Sequence, residues 1–173
     1  MKKKIADYEY NIIRNFFFDI VIHIKLSQKF LTQQQCEQIE SAIEAAELNC
    51  SGEIRVHIDK HCSANVLDDA AHTFAKLKMH KTKLRNGVLF YLAYADRKFA
   101  VIGDQGINAH VPANFWDDVC AQMSKYFREG NFVGGLTEGI QMCGSKLKEF
   151  FPYTADDENE LPNEVSFGNE NNN

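Results

Sequence analysis

The run Val88 to Tyr94 limits what this chain can fold into more than any other stretch. Seven successive residues are apolar, between a turn pair, Asn86-Gly87, and a polar corner, Ala95-Asp96-Arg97-Lys98. The run is too short for an ordinary helix and rich in aromatic residues, so it reads as a strand covered on both faces. A second apolar run, Phe99 to Ile102, follows the corner at once and predicts an antiparallel neighbour joined by a hairpin. The loop Gly103-Asp104-Gln105-Gly106 closes the pair. A strand buried on both sides needs a layer above it and a layer below, and the flanking chain must provide both.

Upstream, Thr32 is placed to cap a helix, with Gln35 three residues on as in a capping box. Cys36, Ile39, Ile43 and Ala46 give that helix an apolar stripe, and Ser51-Gly52 turns the chain. Glu53 to Asp59 then alternates, with Ile54, Val56 and Ile58 on one side and Glu53, Arg55, His57 and Asp59 on the other. Such a strand lies near a sheet edge, or its polar side lies under something hydrophilic. Asn65 is placed to cap a second helix with Asp68 and Asp69 in its first turn, where carboxylates favour the positive helix end. Leu67, Ala70, Ala71, Phe74 and Leu77 are its stripe. Beyond the hairpin, Pro112 suits a first helical turn. Phe115, Val119, Met123 and Tyr126 or Phe127 mark a buried face, and Gly130-Asn131 ends that helix. Val133, Leu136, Ile140, Cys143, Leu147 and Phe150 mark the face of a last helix, which Pro152 stops.

The order is therefore helix, strand, helix, strand, strand, helix, helix. A strand-helix-strand unit makes parallel neighbours and a short hairpin makes antiparallel ones. The expected fold is α/β: a three-layer α/β/α sandwich with a small mixed β-sheet and helices on both faces. The domain spans residues 31–152. Residues 1–30 form an N-terminal extension. Ile5, Tyr8, Ile12, Phe16, Ile20 and Ile24 are spaced for one face of an amphipathic helix. Asp19, His23 and Lys25 interrupt the apolar run, which is far short of the ~20 residues a membrane span needs. Two readings of this extension stand: a helix packed on the domain, or an apolar face for a partner or a membrane surface. Residues 153–173 are an acidic, Asn-rich tail expected to be disordered.

That tail distorts the charge balance. It holds six acidic residues and no Lys or Arg, so the net charge of -5 leaves 18 acidic against 19 basic residues in the rest of the chain. A near-neutral body gives no case for nucleic-acid binding. The basic run Lys76, Lys78, Lys81, Lys83 and Arg85 reads first as a solvated face, with an anion site as the alternative. Five cysteines (Cys36, Cys50, Cys62, Cys120, Cys143) with no C-x-x-C point to reduced thiols in a cytoplasmic setting.

The topology sorts the polar residues to two ends of the sheet. Asp59, Asp96 and Arg97 fall at the carboxyl ends of the first two strands, and the loop that follows the first leads to Asp68 and Asp69. This is where open α/β sheets bind ligands. Glu53, Asn86, Asp104 and Gln105 fall at the opposite end. Both ends carry hard oxygen donors of the kind Ca²⁺ and Mg²⁺ take, and neither has the spacing of a calcium loop. His57-x₃-His61 lacks the helical frame of a zinc site. No P-loop, C-x₅-R, Asp-x-Asp or Gly-x-Ser-x-Gly occurs, and Trp116 reads as core.

The strings Gly52-Glu53-Ile54-Arg55-Val56, Asn86-Gly87-Val88-Leu89, Asp96-Arg97-Lys98 and Gly103-x-x-Gly106 are, in this order and spacing, similar to the TPM domain family. The resemblance covers Leu31 to Pro152 and is greatest to short bacterial members. It implies the same α/β sandwich, a divalent cation (Ca²⁺ or Mg²⁺) near the acidic loops, and in some members acid phosphatase activity. Asp96 matches the recurrent Asp-Arg and is the first choice of ligand, with Asp68 or Asp69; Glu53 and Asp104 are the alternative at the other end. The expected function is a noncatalytic module that binds a divalent cation and a protein partner, in stress or repair. The alternatives are a weak metal-dependent phosphatase and a membrane-associated module acting through residues 1–30.

Overall fold

A computed structural model describes residues 30–155 and 157–168. The helix expected within residues 1–30, and with it the membrane reading, lies outside the described residues except for Phe30, which stacks on Tyr94 with ring centroids 4.4 Å apart.

The central hairpin forms as its sequence requires. Strand β2 (Val88–Ala93) is buried at every residue and pairs antiparallel with β3 (Lys98–Gly103). Strand β1 (Ile54–Asp59) runs parallel to β2 with Ile54 opposite Val88 and Asp59 opposite Ala93. Alternation then sends side chains to two cores. Val56, Ile58, Val88, Phe90, Leu92, Phe99 and Val101 point to one face. There they meet α1 (Gln33–Glu47), α4 (Phe115–Arg128) and α5 (Phe132–Phe150). Leu89, Tyr91, Ala93, Ala100 and Ile102 point to the other face, under α2 (Val66–Lys76) and a 3-10 turn at Met79–Lys81. The three-layer sandwich is the observed architecture.

The helix ends mostly follow the expected chemistry; α4 starts at Phe115, so Pro112 precedes the helix and does not fill its first turn. Thr32 and Gln35 form a reciprocal capping box on α1, and Asn65 accepts from the Leu67 N–H at the start of α2. Gly130 takes φ 74° between α4 and α5. The turn at Asn86-Gly87 differs in detail: the left-handed residue is Arg85, at φ 53°, one position earlier. Asn86 instead ties two segments together, its buried side-chain amide donating to the Ser51 carbonyl at 2.9 Å.

Two expectations are corrected. The stretch Gly103 to Gly106 is not a plain loop: Asp104 caps a one-turn helix, α3 (Gln105–Asn108). Close approach explains the glycines. A Cβ on Gly106 would lie 2.3 Å from the Leu84 carbonyl oxygen, and backbone cannot move aside as a side-chain tip can. Gly106→Ala is expected to destabilise the fold by about 2–3 kcal/mol in urea unfolding, whereas Gly87→Ala should cost less than about 1 kcal/mol. At Gly87 the nearest atom to an added Cβ is the flexible Met79 methyl, at 3.4 Å.

The second correction concerns the tail. Residues 157–168 follow a defined path. They cross the edge of β1 and end in β4 (Ser166–Phe167), which pairs parallel with β1 and completes the sheet order β3-β2-β1-β4. Val165 is buried in the first core and Leu161 packs against the second. The composition of the tail is that of a disordered segment, but two apolar residues and a row of backbone-directed bonds hold it to β1.

Candidate functional site

At the carboxyl end of the sheet, the hairpin corner places Asp96 beside the loop that follows β1. One carboxylate oxygen lies 2.8 Å from His61 Nδ1 and the other accepts from the Cys62 N–H at 2.7 Å. Asp69 accepts from the neighbouring Ser63 N–H. Asp96 and Asp69 are thus brought to the same loop, while Asp68 faces solvent on the first turn of α2. Partial burial works to raise the Asp96 carboxyl, but the bonds from His61 and Cys62 outweigh it and hold it below the usual carboxylate range. Both oxygens of the first-choice ligand are therefore already committed to shaping a loop.

At the opposite end, Asp104 and Glu53 are also committed, each to a different partner. The Asp104 side chain is fully buried and forked onto Arg85, with Nε–H and Nη2–H donating at 2.6 and 2.9 Å. Glu53 is 4% exposed and accepts from the Glu160 and Leu161 N–H groups at 2.9 and 3.1 Å. Its other neighbour is Glu47, the last residue of α1. Glu47 accepts from the Ile54 N–H at 2.7 Å through one oxygen; the second is sealed from solvent without a hydrogen bond of normal geometry. Burial pushes the Glu47 carboxyl up to about 8, against the Ile54 bond, and the nearby Glu53 charge adds to the rise. Burial likewise pushes Glu53 up to about 7, against its two backbone donors. The pair opens onto a cleft of about 420 Å³ that Glu44, Asp157 and Glu158 also line, with no Lys, Arg or His among the described residues of its wall.

These donors are the hard oxygens that Ca²⁺ and Mg²⁺ take. Among the described residues, however, no three His, Cys, Asp or Glu side chains converge closely enough to grip a metal ion. The fit to a cation is one of charge and donor type.

The polar side of β1 has a third use. Arg55 Nη1–H donates to the Pro162 carbonyl, and His57 Nδ1 lies 2.8 Å from Ser166 Oγ. His57 Nε2 lies 3.4 Å from Asp59, so Ser166, His57 and Asp59 line up as in a nucleophilic triad. The chemistry does not follow the alignment. The Val56 carbonyl, 3.1 Å from the Ser166 hydroxyl, competes with His57 for its single hydrogen. The cysteines are no better placed. All five are free thiols, and burial raises Cys50 and Cys62 to about 11 and Cys120 and Cys143 further, far from thiolate character. Trp116 is 1% exposed and belongs to the core.

Sequence reasoning missed Glu47 and the pairing of Arg55 with the C-terminal segment. A signal for Glu47 was present: a carboxylate in the last turn of a helix sits at the negative end of the dipole, where it is disfavoured without a local reason.

A family model for the TPM domain matches residues 24–146. The chain belongs to the TPM domain family. The match begins seven residues before Leu31, so the TPM domain here takes in the end of the N-terminal extension. Among solved structures, the NMR structure of BA42 protein from the psychrophilic bacterium Bizionia argentinensis sp. nov. is similar. It is 45% identical, with a TM-score of 0.77, covering 83% of this chain and 99% of that one. No curated protein matches. Within the TPM domain the shared strings acquire physical roles. Gly52 lies under Leu147, Asn86 ties β2 to the Ser51-Gly52 turn, Asp96 holds the 61–62 loop, and Gly106 lets α3 approach Leu84. Among the described residues no helix is long and apolar enough to cross a membrane.

Proposed function

We propose that this TPM domain is a noncatalytic module that takes a divalent cation, Ca²⁺ or Mg²⁺, in the acidic cleft at the amino end of β1, and that it acts by engaging a protein partner. The observation that carries the cation reading is the Glu47–Glu53 pair. Two carboxyls are held side by side in a wall without basic residues, and each resists ionising because of burial and the other acidic groups around it. A cation relieves that opposition. Glu47 and Glu53 would hold it, with Asp157 and Glu158 adding charge from the C-terminal segment. This moves the site from Asp96, Asp68 and Asp69 to the alternative end, because the His61 and Cys62 bonds already stabilise the Asp96 charge whereas burial opposes that of Glu47 and Glu53; Asp104 is left out because Arg85 occupies it.

Calorimetric titration of the metal-free protein with CaCl₂ and with MgCl₂ tests this. Because the pair is partly protonated at neutrality, cation binding must release protons and strengthen with pH. Saturable binding is expected, roughly tenfold tighter at about pH 8 than at about pH 6. Glu47→Gln and Glu53→Gln should each weaken it about tenfold, with Asp96→Ala unchanged. Loss of binding in Asp96→Ala alone would return the site to the carboxyl end. No saturable signal with either metal at millimolar concentration would remove the cation reading altogether.

A further inference from the structure

The side chains on the polar face of β1 do something unusual for a strand of this kind: they read the backbone of another segment. Glu53 takes two successive N–H groups, of Glu160 and Leu161. Arg55 gives to the carbonyl of Pro162. His57 meets the hydroxyl of Ser166, and Glu40, on α1, takes the Val165 N–H at 3.0 Å. Glu53, Arg55 and His57 are 4%, 6% and 5% exposed, so this is a built surface and no chance contact of mobile side chains. Leu161 and Val165 supply the apolar contacts, one on each face of the sheet. Main-chain recognition along a sheet edge, with pockets for alternate side chains, is the physics of peptide binding by strand addition.

The chain's own segment fills this surface incompletely. Only two residues of β4 pair with a six-residue β1, opposite His57 and Ile58. Phe167, half of that strand, is 50% exposed, and so is Tyr153 (55%) at the start of the connection from α5. Most telling is Arg55, which is buried while its Nε–H has no acceptor. A buried donor without a partner is costly, so the present occupant leaves binding energy unused. The acidic groups Glu164, Glu47 and Glu53 surround Arg55 electrostatically without supplying that bond.

We infer that the polar face and edge of β1 form a docking groove for an extended, acidic peptide segment of a partner protein, occupied in cis by residues 157–168 of this chain. The partner segment has the form read by the groove: a Leu-Pro step, then a Val-Ser pair four residues on, with a carboxylate able to reach Arg55 Nε. The C-terminal segment is a competitor that the partner displaces. This deepens the partner half of the proposed function and rests on it. It needs no cation, so binding is measured in EDTA and its failure is separate from failure of the cation reading.

Two measurements on the full chain decide it. In hydrogen exchange of the wild type, the amides of Glu160, Leu161, Val165 and Gly168 should exchange at least about tenfold faster than the β2 amides, as expected for a segment that opens on its own. Equal protection would make the segment an integral part of the fold and overturn the inference, whether or not any variant folds. In the second, a fluorescein-labelled peptide of residues 157–168 is titrated into Val165→Asp, which loosens the cis segment. Saturable binding is expected, at least about tenfold tighter than to the wild type, where the cis segment competes. Arg55→Met added to Val165→Asp should weaken it about fivefold or more, because the donor to the Pro162 carbonyl is lost. Absence of saturable binding to folded Val165→Asp overturns the inference. Concentration-dependent dimerisation of the wild type, lost in Val165→Asp, would assign the groove to the same segment of a second copy and equally overturn the assignment to a partner.

Discussion

Glu47→Gln is expected to stabilise the protein by about 2–3 kcal/mol at about pH 9 and to change it by less than about 1 kcal/mol at about pH 5. The sign follows from the direction of the shift. Burial raises the folded-state carboxyl to about 8, well above the ordinary value of 4.5 that it has when unfolded. Between those values the folded state holds a proton that the unfolded state has lost, so wild-type stability falls as pH rises through this window and levels off above it. Gln is neutral throughout and escapes that loss. Its oxygen still accepts from the Ile54 N–H, while its NH₂ takes the place of the sealed oxygen, which accounts for a small cost at low pH. Urea unfolding at a series of pH values measures the effect. Parallel stability curves for wild type and variant across pH 5 to 9 would mean that Glu47 is not held in its neutral form. A saturating divalent cation, if bound at the cleft, should flatten the wild-type curve and leave the variant's nearly unchanged.

Trp116→Ala is expected to cost about 3–5 kcal/mol, the range for emptying a large buried aromatic site. Trp116 is 1% exposed at the start of α4, and its ring lies over Gly103, where an added Cβ would stand 2.4 Å from it. Its Nε1–H donates to the Asn108 side-chain oxygen at 2.9 Å, and the Asn108 amide donates to the Gly103 carbonyl at 2.8 Å. One side chain thus fixes the end of β3, the short α3 and the entry to α4. Removing it should lower the thermal midpoint by about 10 °C, at about 2–4 °C per kcal/mol for a chain of this size. Trp116→Phe, which keeps most of the packing and loses the donor, should cost about 1–2 kcal/mol. Circular dichroism melts of the two variants give the comparison; equal losses would mean that the hydrogen bond to Asn108 outweighs the cavity.

The helices α1, α2, α4 and α5 and the strands β1 to β3 were legible because each carries its own period. Val88 to Tyr94 could only be a covered strand, Thr32 with Gln35 marked a helix start, and Gly130 marked a stop. Such patterns are local, set by backbone geometry at a spacing of two or about 3.6 residues. The same local view placed Asp96, Asp69, Glu53 and Asp104 at the correct ends of the sheet. It had no means of telling how each carboxylate is used, since the donor that occupies it comes from another segment: His61 and Cys62 for Asp96, Arg85 for Asp104, and Glu160 and Leu161 for Glu53.

Sequence by itself determined the layer order, the parallel and antiparallel pairs, and membership of the TPM family, because periodicity and the spacing of Gly, Asn and Asp survive in one dimension. Only the tertiary structure decided that the acidic tail is the cover of β1. Its contacts with Glu53, Arg55 and His57 join residues more than a hundred positions apart, and those of Glu53 and Arg55 run from side chain to backbone. Backbone N–H and C=O groups are the same in every residue, so a segment recognised through them leaves almost no mark in its own sequence.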